Sequence, residues 1–362
     1  MSSRAGLSPR SFNLSLSNQG YLSQTFGSSD STAVNALFNG NLWVSGQQGG
    51  TLRVAARTDL SNFTNVPCAD APSGVFSVDS DSAYTEEGWP SAVGAPVDAE
   101  GKPRAYGDQM AWTTYCQSAN GSILNQPFTD LRINAAVFGH DQYSNVVFIR
   151  FELRNESASA ISDAYVGFWT DPDLETDVAR NLVGVDLEER LAYIYAAPDV
   201  SDRALTAGSV ILETPADAPL AAHRIVTKNS LRETYGENGL GSAAAYDMAL
   251  RGLDNAGNPM VDPTTNQASP FAFTGNPVLG TGWLDGYLFC AENCEGQAQQ
   301  GREARQLISA GSFTIGAGET EVFTLAYVVQ TGSSFEDSLA QLRALSSTLR
   351  GAPDLWRFVS QS

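Results

Sequence analysis

Between Asn145 and Asp186 the hydrophobic pattern predicts two strands and an acidic loop. N-V-V-F-I-R-F-E-L-R-N, with Val146, Phe148, Arg150 and Glu152, reads as a half-buried strand, apolar on one face and charged on the other. A-Y-V-G-F-W gives the next strand, and L-A-Y-I-Y-A-A continues the pattern after the loop. Earlier, F-N-L-S-L-S alternates, and N-L-W-V-S-G-Q-Q-G-G-T-L-R-V-A-A-R predicts a hairpin turning at Gly49-Gly50. Strands are also expected over Met110–Tyr115 and Leu131–Phe138, and one short helix near Ala243–Arg251.

The last third has the sharpest pattern. S-F-T-I-G-A-G-E-T-E-V-F-T-L-A-Y-V-V-Q predicts two strands joined by a Gly-Ala-Gly-Glu turn. Val322, Thr324, Ala326 and Val328 alternate with Phe323, Leu325, Tyr327 and Val329, so that strand is expected in the interior, covered on both sides. Leu339, Leu342, Leu345 and Leu349 then recur at helical spacing, with Ser333 or Ser334 to cap the start and Gly351 to end it. The expected fold is therefore all-β: a large antiparallel β-sandwich, in its enlarged form a supersandwich, with long loops and one C-terminal helix. Residues 1–332 form the elaborated sandwich, and 333–351 the amphipathic helix packed on it. Residues 60–105, rich in Gly and Pro, are too long for an ordinary connection and read as a surface excursion or insert.

Composition narrows the class. The 362 residues hold 40 acidic and 21 basic side chains, a net charge of −19, which disfavours nucleic acid and anionic membranes. No run of 18 apolar residues is present, so membrane insertion is not expected, and the first 25 residues lack a signal-peptide core. The chain is thus intracellular, or shown without its leader. Four cysteines permit two disulfides: Cys290 with Cys294 is the first expected, with a thiolate metal pair as its alternative, and Cys68 with Cys116 the weaker.

Three constellations carry candidate chemistry. Asp171, Asp173, Glu175 and Asp177, with Asp186 beyond, place carboxylates at alternate positions, as a calcium loop requires; solvated acids around a turn are the simpler reading. Trp43, Trp112 and Trp169 lie in strands and read as core, whereas Trp89 and Trp283 sit in Gly/Pro-rich loops and are the candidate glycan platforms. Only His140 and His223 are available for a His-based relay, no hydrolase or nucleotide fingerprint is present, and no catalytic residue is assigned. Arg150 and Arg154 read as cross-strand partners of acidic residues.

The stretches N-L-S-L-S-N-Q-G, L-F-N-G-N-L-W-V-S-G, G-D-Q-M-A-W, N-V-V-F-I-R-F-E-L-R-N, Y-V-G-F-W-T-D-P-D-L, L-V-G-V-D, F-T-G-N-P-V-L-G-T-G-W-L-D and S-A-G-S-F-T-I-G-A-G-E-T occur in that order over residues 13–330. Together they resemble the N-terminal β-rich module of large secreted bacterial surface proteins, often associated with type IX secretion sorting domains. In that family the loop runs D-P-D-(L/I)-G, then paired aspartates before V-G-C-D. Here Glu175, Arg180-Asn181 and Val185 stand at those places. The resemblance implies an extracellular or cell-surface structural or adhesive module, not an enzyme, binding protein or glycan and stiffened by calcium. The alternative is a carbohydrate-active enzyme or its accessory sugar-binding domain, since large sandwiches with a trailing helix also occur beside sugar-processing domains.

Overall fold

The computed structural model describes residues 4–7, 12–26, 34–56, 65–79, 88–117, 126–174, 181–196, 204–225, 242–254, 256–285 and 304–357. In chain order the strands are β1 Arg4–Leu7, β2 Phe12–Ser17, β3 Leu22–Phe26, β4 Val34–Gln48, β5 Thr51–Ala55, β6 Asn65–Val66 and β7 Phe76–Asp79. Next come β8 Gln109–Gln117, β9 Leu131–Gly139, β10 Val146–Asn155, β11 Ile161–Asp171, β12 Asn181–Asp186 and β13 Leu191–Ala196. The rest are β14 Ala204–Glu213, β15 Leu220–Ile225, β16 Met260–Asp262, β17 Gln267–Ser269, β18 Gln306–Ile315 and β19 Thr320–Gly332. Among the described residues two α-helices follow, α1 Ala243–Leu250 and α2 Phe335–Arg350.

These strands form two large sheets and a small hairpin. The first sheet runs β1-β2-β3-β4-β11-β18-β15, with β5 also on β4. The second runs β12-β13-β14-β19-β10-β9-β8-β6, with β7 also on β8. Among the described strands each ladder is antiparallel, and neither sheet closes on itself. The expected β-rich class is what the chain adopts. One hydrophobic cluster draws on both sheets: Val44, Val166, Phe168 and Ile308 from the first, Val137, Ile149, Phe151, Phe323 and Leu325 from the second.

Local chemistry explains several elements. The β4–β5 turn is Gly49-Gly50, with φ of +60° and +74°, the left-handed pair that a two-residue hairpin matching strand twist requires. β19 lies between β14 and β10 and is apolar on both faces, as expected. Phe323, Leu325, Tyr327 and Val329 face the shared core, while Ala326 and Val328 face α2. The Ser334 hydroxyl accepts from the Asp337 amide at the start of α2, and Leu339, Leu342 and Leu349 are buried beneath it.

Two expectations need correction. Val146, Phe148, Arg150 and Glu152 share one face of β10, which changes from apolar to charged along its length; the opposite face, Val147, Ile149, Phe151 and Leu153, is wholly apolar core. The Gly316–Glu319 turn joins β18 to β19, yet these strands do not pair, because one belongs to each sheet. Likewise β10 and β11, close in sequence, lie in different sheets. Asn155 holds both crossings: its buried amide nitrogen donates to Ser159 O (2.8 Å), Ile315 O (3.1 Å) and Gly316 O (3.1 Å), and its carbonyl accepts from Gly318 N (2.8 Å). Of the two candidate disulfides, Cys68–Cys116 is formed, with an S–S distance of 2.08 Å; Cys290 and Cys294 lie outside the described residues.

Each sheet also has a covered outer face. On the first, α1 seals Trp43, Val54, Trp169 and Leu307 with Tyr246 and Leu250. On the second, α2 packs on β13, β14 and β19, and residues 88–106 lie over β7 to β10 through Trp89, Val93, Ala105 and Tyr106. That expected excursion is therefore a packed cover in its described part. Residues 270–285 run along two sheet edges, with Ala272 N donating to His223 O (3.0 Å) on β15 and Val185 N on β12 to Phe273 O (3.1 Å). Such contacts occupy edge groups that would otherwise invite another strand.

Candidate functional site

Charges in the middle of a sheet are costly unless paired, so the charged half of β10 is the first place to look for chemistry. Arg150 sits there with a side chain 12% exposed, between two carboxylates. Its Nε is 3.3 Å from Glu152 Oε1, and its Nη1 is 3.0 Å from Glu213 Oε2 at the end of β14. Thr324 on β19 donates to the same Glu213 oxygen at 3.0 Å. From one side the Tyr106 ring lies 5.9 Å from the Arg150 guanidinium. From the other, Arg357 reaches Glu213 Oε1 at 3.4 Å, its guanidinium 5.2 Å from the Trp356 ring. Burial, and then the Glu152 charge, push the Tyr106 hydroxyl well above its usual range, so it stays a neutral donor.

The seam continues along the strands. Asn134, opposite Glu152 on β9, donates to Val93 O at 3.0 Å and so pins the covering segment. Arg132 is almost wholly buried: Nη2 meets both oxygens of Asp70 at 2.7 and 2.8 Å, and Nε meets Glu156 at 2.9 Å. That guanidinium holds the Asp70 carboxyl below its ordinary value. Arg154 joins the same Glu156 at 3.3 Å. The result is a half-buried line of alternating cations and carboxylates with the half-buried Tyr106 phenol beside it and Thr324 and Trp356 buried beneath. Such a surface offers donors and acceptors in fixed directions together with one aromatic ring. Two carboxylates are the minimum for glycoside hydrolysis, and here both are tied to one guanidinium.

The residues singled out from sequence are distributed differently. Asp171 is 2% exposed and pairs with Arg305 at 2.9 Å, whose guanidinium lies 6.0 Å from the Trp169 ring. Asp186, in the other sheet, pairs with Arg343 of α2 at 2.9 Å and accepts from Glu189 N. Asp173 is half-buried, and with Asp171 raises the pKa of the buried Tyr327 hydroxyl, an effect second to burial itself. Glu175 and Asp177 lie outside the described residues. A calcium ion would have to displace a guanidinium from Asp171 and another from Asp186. Among the described residues, no group of three or more His, Cys, Asp or Glu is placed to hold a metal.

The two candidate glycan platforms are both held by internal contacts. Trp283 is 8% exposed and packs in the shared core, 5.4 Å from Phe273. Trp89 is half-buried, its indole N–H donating to Pro96 O at 3.0 Å and its ring edge-on to Phe76. Both are held by packing that a Gly/Pro-rich sequence context does not reveal. Trp43, Trp112 and Trp169 are core, as expected. Arg150 and Arg154 do partner acidic residues, but Glu213 and Arg357 escaped notice because they reach the seam from distant segments. Two charges interrupting an apolar strand were the only available signal.

No protein family and no curated protein matches the chain. Among solved structures, a bacterial glucoamylase complexed with acarbose is similar at a TM-score of 0.41 and 9% identity, over 96% of this chain and 35% of that one. A putative kojibiose phosphorylase from the human microbiome is similar at 0.35 and 7%, over 99% and 37%. The chain thus spans about a third of each. Both carry the names of sugar-processing enzymes, which stands against the expected adhesive or structural module with no enzymatic association and on the side of its stated alternative. At such scores they describe neither site nor mechanism, so the functional reading rests on the side chains.

Proposed function

We propose that the chain is a sugar-recognising domain of the kind that belongs with carbohydrate-active enzymes, and that the Arg150 seam is its contact surface. One observation carries this: two carboxylates, Glu152 and Glu213, share a single guanidinium on a half-buried face beside the half-buried ring of Tyr106. Carboxylates accept from sugar hydroxyls, the guanidinium donates to them, and the Tyr106 ring offers an apolar edge to a pyranose. We propose further that the two sheets stack as a large antiparallel β-sandwich, supported by the core to which both contribute. Export to an oxidising compartment belongs to the same proposal, supported by the Cys68–Cys116 bridge.

The test is a glycan array probed with the whole chain, followed by calorimetry on any hit. Arg150→Ala should weaken binding by about tenfold or more, the loss of a charge-assisted contact. Arg251→Ala, beside α1 and paired with Asp163 and Asp247 away from the seam, should leave it unchanged. An array with no hit sinks the sugar reading.

A further inference from the structure

We infer that the seam takes uncharged sugars and turns away acidic ones, an inference that rests on the sugar reading above. The chain as a whole carries about two acidic residues for each basic one, 40 against 21. The seam departs from that ratio. Arg132, Arg150, Arg154 and Arg357 face Asp70, Glu152, Glu156 and Glu213, four cations against four anions, and each guanidinium is within 3.4 Å of a carboxylate. Arg104, which also acts on Tyr106, is itself engaged.

A uronate, sulfate or phosphate group is held by a guanidinium whose charge it can neutralise, in bidentate geometry. Here an anion arriving at Arg150 must take it from Glu152 or Glu213, and one arriving at the more exposed Arg154 or Arg357 must take it from Glu156 or Glu213; in each case the displaced carboxylate stays nearby as a like charge. The surrounding field of a −19 chain opposes the approach too. A neutral hydroxyl meets neither obstacle. It can donate to a free lone pair of Glu152 or Glu213, or accept from a guanidinium N–H, while the ion pairs remain intact. Thr324, fully buried, donates to Glu213 from beneath and helps hold that carboxylate in place.

The experiment titrates the whole chain with neutral hexose oligosaccharides and with uronic-acid oligosaccharides of equal length, at low salt and at about 300 mM NaCl. The expected result is neutral binding that changes less than about twofold with salt, and uronate binding at least about tenfold weaker. Glu213→Gln, which leaves Arg150 and Arg357 undercompensated, should narrow that gap from both sides. Uronates binding as tightly as neutral sugars, with affinity falling as salt rises, would overturn this inference and leave the sugar reading standing. If neither set binds, the sugar reading itself fails and takes this inference with it.

Discussion

The two outer faces of the molecule invite comparison because each carries a helix, yet they differ in what the helix leaves behind. Under α1, eight residues long, the first sheet presents Trp43, Trp169, Val54 and Leu307, and the face is closed. Polar groups enter there as close pairs, Ser45 with Asp247 at 2.6 Å and Asp171 with Arg305 at 2.9 Å. Under α2, twice as long, the second sheet is sealed over β13, β14 and β19, but the charged half of β10 stays half-buried. Helix length therefore does not decide which face is dry. The strand residues do: aromatic and aliphatic positions demand a cover, whereas Arg150, Glu152 and Arg154 would each forfeit solvation under one.

The strongest way to break this contrast is Arg305→Met. It leaves Asp171 buried without its cation and should cost about 3–5 kcal/mol, seen as a lower urea midpoint. Asp171→Leu combined with Arg305→Met should recover most of the loss, since two apolar groups need no partner. A single variant as stable as the parent would mean that the first face is wetter than its burial implies.

Acid sharpens the contrast next. His223, fully buried on β15, donates from Nδ1 to Ala272 O (2.8 Å), and its Nε2 lies 3.1 Å from Gln306 Oε1. Burial lowers its pKa despite those bonds and the nearby Asp285, while Arg224 lowers it further. The folded state thus binds its proton less readily than the unfolded one, so the stabilisation is complete above about pH 6.5 and shrinks as pH falls below it. The slope should approach about 1.4 kcal/mol per pH unit until the lowered folded value is reached. Melting at pH 7.5 and 5.5 measures it, and His223→Gln should flatten the difference.

Smaller effects belong to the second face. Ser334→Ala removes the α2 cap and should cost about 1 kcal/mol in chemical unfolding. Arg154→Ala, 47% exposed, should cost less than about 1 kcal/mol, and less still in high salt. A larger loss there would make the seam a structural brace, not a contact surface.

Much of the fold was legible because short-range patterns encode it. The leucine spacing and Ser334 gave α2, the two apolar faces of β19 gave its central place, and Gly49-Gly50 gave a hairpin. Sheet membership was not legible, since Gly316–Glu319 has the chemistry of a tight turn whether its flanking strands pair or part. The Cys68–Cys116 bridge spans 48 residues, and spacing alone favoured the close pair Cys290/Cys294. The acidic loop drew attention to Asp171, but its partner Arg305 is set by pairing of β11 with β18. The seam needed Glu213 and Arg357, brought to Arg150 only by tertiary structure.

The paired crossings held by Asn155 have a consequence for how the chain is made. β19 is the last of the described strands of its sheet to be synthesised, yet it occupies the middle of that sheet, and Asn145 meets Val329 across a separation of 184 residues. A nascent chain therefore carries two half-built layers with a vacant central slot until that strand leaves the ribosome. Contacts of such long range close late, so refolding should be slow for the chain's size and prone to association at high concentration.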